Sequence, residues 1–161
     1  MYDVRELENQ YQRALGLVQA QSLPETDKGL FYVNRPVDTL PVSVTGTACS
    51  LKCAHCNGVY LQHMHSLDEL AESQALSALI SGGCDPHGCV PIAPHLEAIR
   101  IAGQGKRLNL HLGLVDEETA AAVGPLASVI SFDIVGSRDT TRRVYGLDVD
   151  LDTYIQVLER L

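Results

Sequence analysis

The sequence has no tryptophan and only two phenylalanines among its 161 residues, so Leu, Val, Ile and Ala must form most of its core. Basic residues are also few: 12 Lys and Arg stand against 20 Asp and Glu, which gives a formal net charge of −8. This acidic balance disfavours non-specific nucleic-acid binding and a polybasic membrane surface, since both require positive charge. No apolar run reaches the roughly 18 residues of a membrane span, and the acidic N-terminus has no apolar signal core. We therefore expect a soluble, cytoplasmic protein.

The chain length and its 45% hydrophobic content are typical of one folded domain. Residues 1–40 are predicted to form an N-terminal helical extension, because apolar residues recur at spacings of three and four within the first twenty residues. Residues 41–161 alternate between strand and helix patterns. Strands are predicted at 42–46, 108–114 and 128–135. Helices are predicted to begin at Ser66, near Pro94, at Asp116 and near Asp150. The segment Leu76–Ser81 fits either a helix or a strand. This order predicts an α/β fold of about four parallel βα units.

Two features suggest that this α/β unit is a partial (β/α) barrel. Four βα units leave a parallel edge strand unpaired, although the apolar run 128–135 is typical of a strand covered on both faces. The last helix has an apolar stripe that continues to the final residue, formed by Leu151, Ile155, Leu158 and Leu161. The alternative is a small open sheet that a partner chain completes.

The most informative stretch is Cys49-Ser50-Leu51-Lys52-Cys53-Ala54-His55-Cys56, with the spacing C-x3-C-x2-C directly after a predicted strand. Five cysteines, three of them within eight residues, favour metal or redox chemistry over disulfides in a cytoplasmic chain. Thiolates are ligands for iron–sulfur clusters and zinc. Three cysteines can hold three irons of a [4Fe–4S] cluster, which leaves the fourth iron open to a small molecule.

This cysteine stretch resembles the cluster motif of the radical S-adenosylmethionine (radical SAM) superfamily. The resemblance implies that Cys49, Cys53 and Cys56 ligate a [4Fe–4S] cluster whose open iron binds S-adenosylmethionine. His55 stands where the family usually has an aromatic residue, and it could pack against the cluster and the adenine. Leu79-Ile80-Ser81-Gly82-Gly83 resembles the family's Gly-Gly motif, which implies that Gly82 and Gly83 border the methionine end of the cofactor. Glycine suits that role because no side chain blocks the approach.

Residues 110–114 and 131–133 look like the third and fourth strands of biotin-synthase-like members. The resemblance implies that His111, Ser131 and Asp133 meet the ribose or the carboxylate of the cofactor. From its surroundings alone, His111 is interpreted as a hydrogen-bonded interior histidine. The family also implies a reductant such as ferredoxin or flavodoxin and a small-molecule or protein-bound substrate. Sulfur insertion, as in biotin or lipoyl synthesis, is one candidate reaction.

Other interpretations of the cysteines stay open at this point. A zinc site could use the three cysteines with His63 or His65 as the fourth ligand. The protein would then be a non-catalytic zinc-binding module. It would also be non-catalytic if it held an iron–sulfur cluster that only carried electrons. Cys84 and Cys89 form a second thiol pair, in a loop that reads Cys84-Asp85-Pro86 where the family has Glu-Pro. That pair could hold an auxiliary metal or cluster, act in redox chemistry, contact the substrate, or have no ligand.

Overall fold

Four parallel strands form the centre of the fold. The computed structural model describes residues 38–161, so the predicted N-terminal helix lies outside the described residues. The strands are β1 (Thr39–Ser43), β2 (Ser77–Ser81), β3 (Arg107–His111) and β4 (Val129–Ser131), and they pair in the order β1-β2-β3-β4. Every neighbouring pair is parallel. The predicted α/β class with four parallel units is therefore confirmed, and β1 begins slightly before the predicted strand.

Helical segments connect the strands and follow the last of them. The α-helices are α1 (Leu67–Glu72), α2 (Leu96–Ala102), α3 (Glu117–Val123), α4 (Arg138–Thr140) and α5 (Leu151–Arg160). Two short 3-10 helices span Val59–His63 and Ala93–His95, and a π-helical turn, Thr141–Tyr145, follows α4. No helix of residues 38–161 is both long and apolar enough to cross a membrane.

The polar residues at the predicted helix starts act as caps. Ser66 and Glu69 form a reciprocal capping box at α1, as the Ser-x-x-Glu pattern predicts. Asp116 and Asp150 accept hydrogen bonds from the backbone N–H groups of Thr119 and Thr153 at the starts of α3 and α5. Local sequence is therefore sufficient to position these helix starts.

The core lies between one face of the sheet and the helices. Every second residue of the central strands contributes a side chain to this core. Ala78 and Ile80 of β2 are in register with Leu108 and Leu110 of β3. These four side chains are buried in one hydrophobic cluster. This pairing explains why the ambiguous segment at Leu76–Ser81 forms a strand, because its alternate residues fit between the apolar residues of its neighbours.

The fourth strand differs from its prediction. Only Val129–Ser131 pairs with β3, and Val129 and Ile134 remain about half exposed. The expectation that residues 128–135 are covered on both faces is wrong, because Ile130 and Phe132 pack against the core whereas Val129 and Ile134 stay exposed. The stripe of α5 is also exposed at Leu151, Ile155 and Leu158, whereas Tyr154 and Val157 of this helix are buried.

Candidate functional site

A cavity of about 340 Å³ lies at the carboxyl ends of the strands. The segments that follow β1, β2, β3 and β4 each contribute to its wall. Parallel α/β sheets bind their ligands at this edge, because the loops after successive strands converge there. The volume lies within the range of small-molecule sites. The cysteine motif, both glycines of Gly82-Gly83, His55, His111 and Asp133 line this cavity, as sequence reasoning expected of one site.

Hydrogen bonds from two distant segments hold the loop that carries Cys49, Cys53 and Cys56. The Ser50 N–H donates to the Cys84 carbonyl at 2.8 Å, and the Ala54 N–H donates to the Val144 carbonyl at 2.7 Å. Within the loop, the N–H groups of Cys56 and Asn57 both donate to the Cys53 carbonyl, which forms a tight turn. These backbone bonds thus position the loop that carries the three thiols.

The donor atoms of Cys53, His55 and Cys56 lie within 4.8 Å of one another, and Cys49 is not a member of this group. Ligands of a single tetrahedral zinc ion are about 3.8 Å apart, as follows from Zn–S bonds of about 2.3 Å. A cubane cluster needs wider spacing, since each thiolate binds a different iron. The compact group of Cys53, His55 and Cys56 therefore fits one ion, and Cys49 lies outside that group.

Burial and neighbouring charge act on the thiol of Cys53. Burial, followed by the negative charges of Cys56 and Cys49, raises its pKa above the ordinary value. A raised pKa keeps the thiol protonated at neutral pH. Metal binding at this loop must therefore release protons, and a bound cation would supply the charge that stabilises the thiolates.

Gly83 is packed against the cysteine loop. A Cβ atom at this position would lie 2.6 Å from the Cβ of Cys49 and even closer to the Ala48 carbonyl oxygen. The Gly83 N–H donates to Thr45 Oγ1 at 2.7 Å, which joins this turn to the segment after β1. The structure thus adds a reason for glycine here: only a residue without a side chain lets the two loops approach so closely.

A chain of polar side chains crosses the other side of the cavity. Ser81 Oγ lies 3.2 Å from His111 Nδ1, and His111 Nε2 lies 3.2 Å from Asp133 Oδ2. His111 is the last residue of β3 and is about one-third exposed, so it is hydrogen-bonded as predicted but only partly interior. Ser131 does not line this cavity, because its hydroxyl donates to Asn109 Oδ1 at 2.9 Å.

Several walls of the cavity were not identified from the sequence. Tyr145 makes an edge contact with the His55 ring, at 5.2 Å between ring centroids, and it ends the π-helical turn. Leu147, Phe132 and Tyr154 add further apolar surface. The sequence signal for these residues is weak, because π-turns have no strong pattern even though they often mark functional sites.

The two remaining cysteines have different surroundings. Cys84 lines the cavity, and burial together with the charges of Cys49 and Cys53 raises its pKa to about 12. Cys89 does not line the cavity: its thiol donates to the Val90 carbonyl at 3.3 Å, and its side chain packs against the hydrophobic core. The two thiols therefore do not share one site, although six residues of sequence contain both.

The histidines considered for a zinc site lie elsewhere. His65 Nδ1 contacts Glu69 Oε1 at 3.2 Å on the surface, and neither His63 nor His65 belongs to the group of donors around Cys53. Within residues 38–161 the histidine that joins the cysteines is His55. Its position between Cys53 and Cys56 makes it a direct candidate ligand.

A comparison of the chain with profiles of protein families, with curated proteins and with solved structures found no match.

Proposed function

We propose that this chain is a radical SAM protein in which Cys49, Cys53 and Cys56 hold a [4Fe–4S] cluster. When bound, the cluster supplies the electron that cleaves S-adenosylmethionine into methionine and a 5′-deoxyadenosyl radical, which acts on a small-molecule or protein-bound substrate. Sulfur insertion is one candidate outcome. The electron would come from a ferredoxin or flavodoxin, and the protein would work in the cytoplasm.

The observation that carries this proposal is the meeting of two sequence-distant motifs in one cavity. The three motif cysteines and the Gly82-Gly83 turn lie on the same cavity at the carboxyl edge of a parallel sheet. Soft thiol donors in a largely apolar pocket suit a cluster, since burial strengthens the electrostatic interactions of the bound group and excludes water.

The residues of the chain would hold and orient the bound groups. Gly82 is only partly buried, so its backbone is accessible for the methionine end of the cofactor, and Gly83 holds this turn against the cysteine loop. His55 and Tyr145 form an aromatic wall beside the cluster loop. The linked side chains of His111 and Asp133 provide polar contacts for a ribose or a carboxylate. Ser131 is left out of this set, because its hydroxyl already bonds to Asn109.

The four strands of the described residues would be part of a (β/α) barrel. Asn109 and His111 alternate along β3, so the face of the sheet that borders the cavity carries polar residues. The open edge at β4 is where further strands would add, from this protein or from a partner chain.

Anaerobic reconstitution with iron and sulfide tests the proposal. We expect about four irons per chain, a change in the electron paramagnetic resonance (EPR) spectrum of the reduced protein when S-adenosylmethionine is added, and formation of 5′-deoxyadenosine. Replacing Cys49 by Ala should strongly reduce iron content, because it removes one of the three motif thiolates that hold the cubane. A cluster whose spectrum ignores S-adenosylmethionine would instead identify an electron-transfer module.

A second candidate is a zinc-binding module. The compact grouping of Cys53, His55 and Cys56 favours it, since these donors are spaced for one ion. In that case the purified protein would be colourless with one zinc per chain. His55→Ala would then lose the metal while Cys49→Ala kept it, which is the reverse of the order that a cluster predicts.

A further inference from the structure

The cavity contains one more thiol than the proposed function uses. Cys84 lines it together with Cys49, Cys53 and Cys56, so four of the five cysteines of the chain surround the same space. A [4Fe–4S] cluster has four irons, each able to bind one thiolate. The number of thiols therefore equals the number of irons.

The backbone clamps Cys84 to the cluster loop. Gly83, the residue before it, packs directly against Cys49, and the Cys84 carbonyl accepts the Ser50 N–H at 2.8 Å. Both contacts join the backbone around Cys84 to the segment that carries Cys49, and Cys84 lines the same cavity as the motif cysteines.

Cys89 shows that a cysteine in the loop after β2 does not have to line the cavity. It follows Cys84 in the same loop, yet its thiol donates to the Val90 carbonyl and its side chain packs on the hydrophobic core. Asp85 closes the loop between them by accepting the N–H groups of His87 and Cys89 through Oδ1. Cys89 is therefore a matched control: the same residue type, in the same turn, directed away from the cavity.

We propose that Cys84 supplies the fourth thiolate to the cluster in the resting protein, and that S-adenosylmethionine replaces it. This inference rests on the proposed function. In the exchange the iron–sulfur bond to Cys84 breaks, the sulfur keeps the electron pair and takes a proton from solvent, and the amino and carboxylate groups of S-adenosylmethionine bind the iron. No electron is transferred in this step. Cys84 thereby protects the cluster while no cofactor is bound.

The test compares wild-type protein, Cys84→Ala, Cys84→Ser and Cys89→Ala after anaerobic reconstitution. Iron and sulfide are counted first, and circular dichroism verifies that each variant is folded. Each sample is then oxidised mildly with ferricyanide, and the EPR signal of a [3Fe–4S] cluster is measured. An iron that the protein does not ligate is lost readily under these conditions. The affinity for S-adenosylmethionine is measured by equilibrium dialysis.

We expect the wild type and Cys89→Ala to resist loss of iron, and both Cys84 variants to give a several-fold larger [3Fe–4S] signal from the same initial cluster. Both Cys84 variants should also bind S-adenosylmethionine several-fold more tightly, since no thiolate has to be displaced. Equal signals and equal affinities in all four proteins would overturn the role of Cys84 and leave the proposed function standing. A wild-type protein that takes up no iron would overturn both.

Discussion

The contact between Gly83 and the cysteine loop leads to a quantitative prediction for Gly83→Ala. The added Cβ would lie 2.6 Å from the Cβ of Cys49, whereas ordinary contact begins at 3.4 Å, so one of the two loops must shift by 0.8 Å or more. The Ala48 carbonyl oxygen is closer still, and it is backbone that cannot rotate away. Metal sites tolerate only about 0.2 Å in their ligand distances. We therefore expect Gly83→Ala to lose most of its metal.

The same substitution should destabilise the fold. Overpacking a tightly packed position costs about 1–3 kcal/mol, which for a chain of this size lowers Tm by about 2–12 °C. Gly136→Ala is the matched control, because a Cβ at Gly136 meets no atom within 4 Å. Gly82→Ala is an intermediate case, since its Cβ would lie 3.0–3.2 Å from the side chains of Thr45 and Val44.

The assays are thermal unfolding followed by circular dichroism, and metal content by mass spectrometry after reconstitution. The expected order of both losses is Gly83→Ala, then Gly82→Ala, then Gly136→Ala, which should equal the wild type. If Gly83→Ala matches the wild type in Tm and in metal content, the close packing of the two loops described above is incorrect. If Tm falls but metal content does not, the loop position does not govern metal binding.

Three further predictions concern other parts of the fold. Because burial raises the pKa of Cys84 from 9.0 to about 12, its thiolate is scarce at pH 8, and iodoacetamide should modify it at least about tenfold more slowly than an ordinary thiol in the apo-protein, which peptide mass spectrometry measures. Hydrogen bonds from Arg138 and Arg142 hold the pKa of Asp148 well below its ordinary value. The stabilisation from this ion pair is therefore present above about pH 4 and is lost as the pH falls further. Urea unfolding should show a larger difference between wild type and Asp148→Asn at pH 7 than at pH 3, and equal differences would contradict the pairing. Leu70 is fully buried, so Leu70→Ala should lower the free energy of unfolding by about 2–5 kcal/mol in urea, and a loss below about 1 kcal/mol would contradict its packing.

The sequence alone was sufficient for the features that depend on neighbouring residues. The capping box at Ser66 and the cap at Asp116 act over three residues, so their patterns identify the helix starts. The order of strands and helices predicted a parallel sheet, because consecutive parallel strands require a crossover. The spacing of Cys49, Cys53 and Cys56 identified a candidate metal loop by the same local logic.

Features that depend on residues far apart in the chain required the tertiary structure. The segment at Ser77–Ser81 could be identified as a strand only through its register with β3. The apolar run near Val129 predicts a strand buried on both faces, yet Val129 is about half exposed. Burial depends on which elements pack against the strand, and the sequence of the strand itself does not determine them.

The division of the thiols shows the same difference most clearly. The sequence presents Cys84 and Cys89 as a pair, because both lie in one short loop. The folded chain separates them. Cys84 follows Gly83, which contacts Cys49, and it lines the cavity, whereas the side chain of Cys89 packs against the hydrophobic core. Spacing along a chain determines which residues can share a turn, but only the packing of one loop on another determines which side chains share a site.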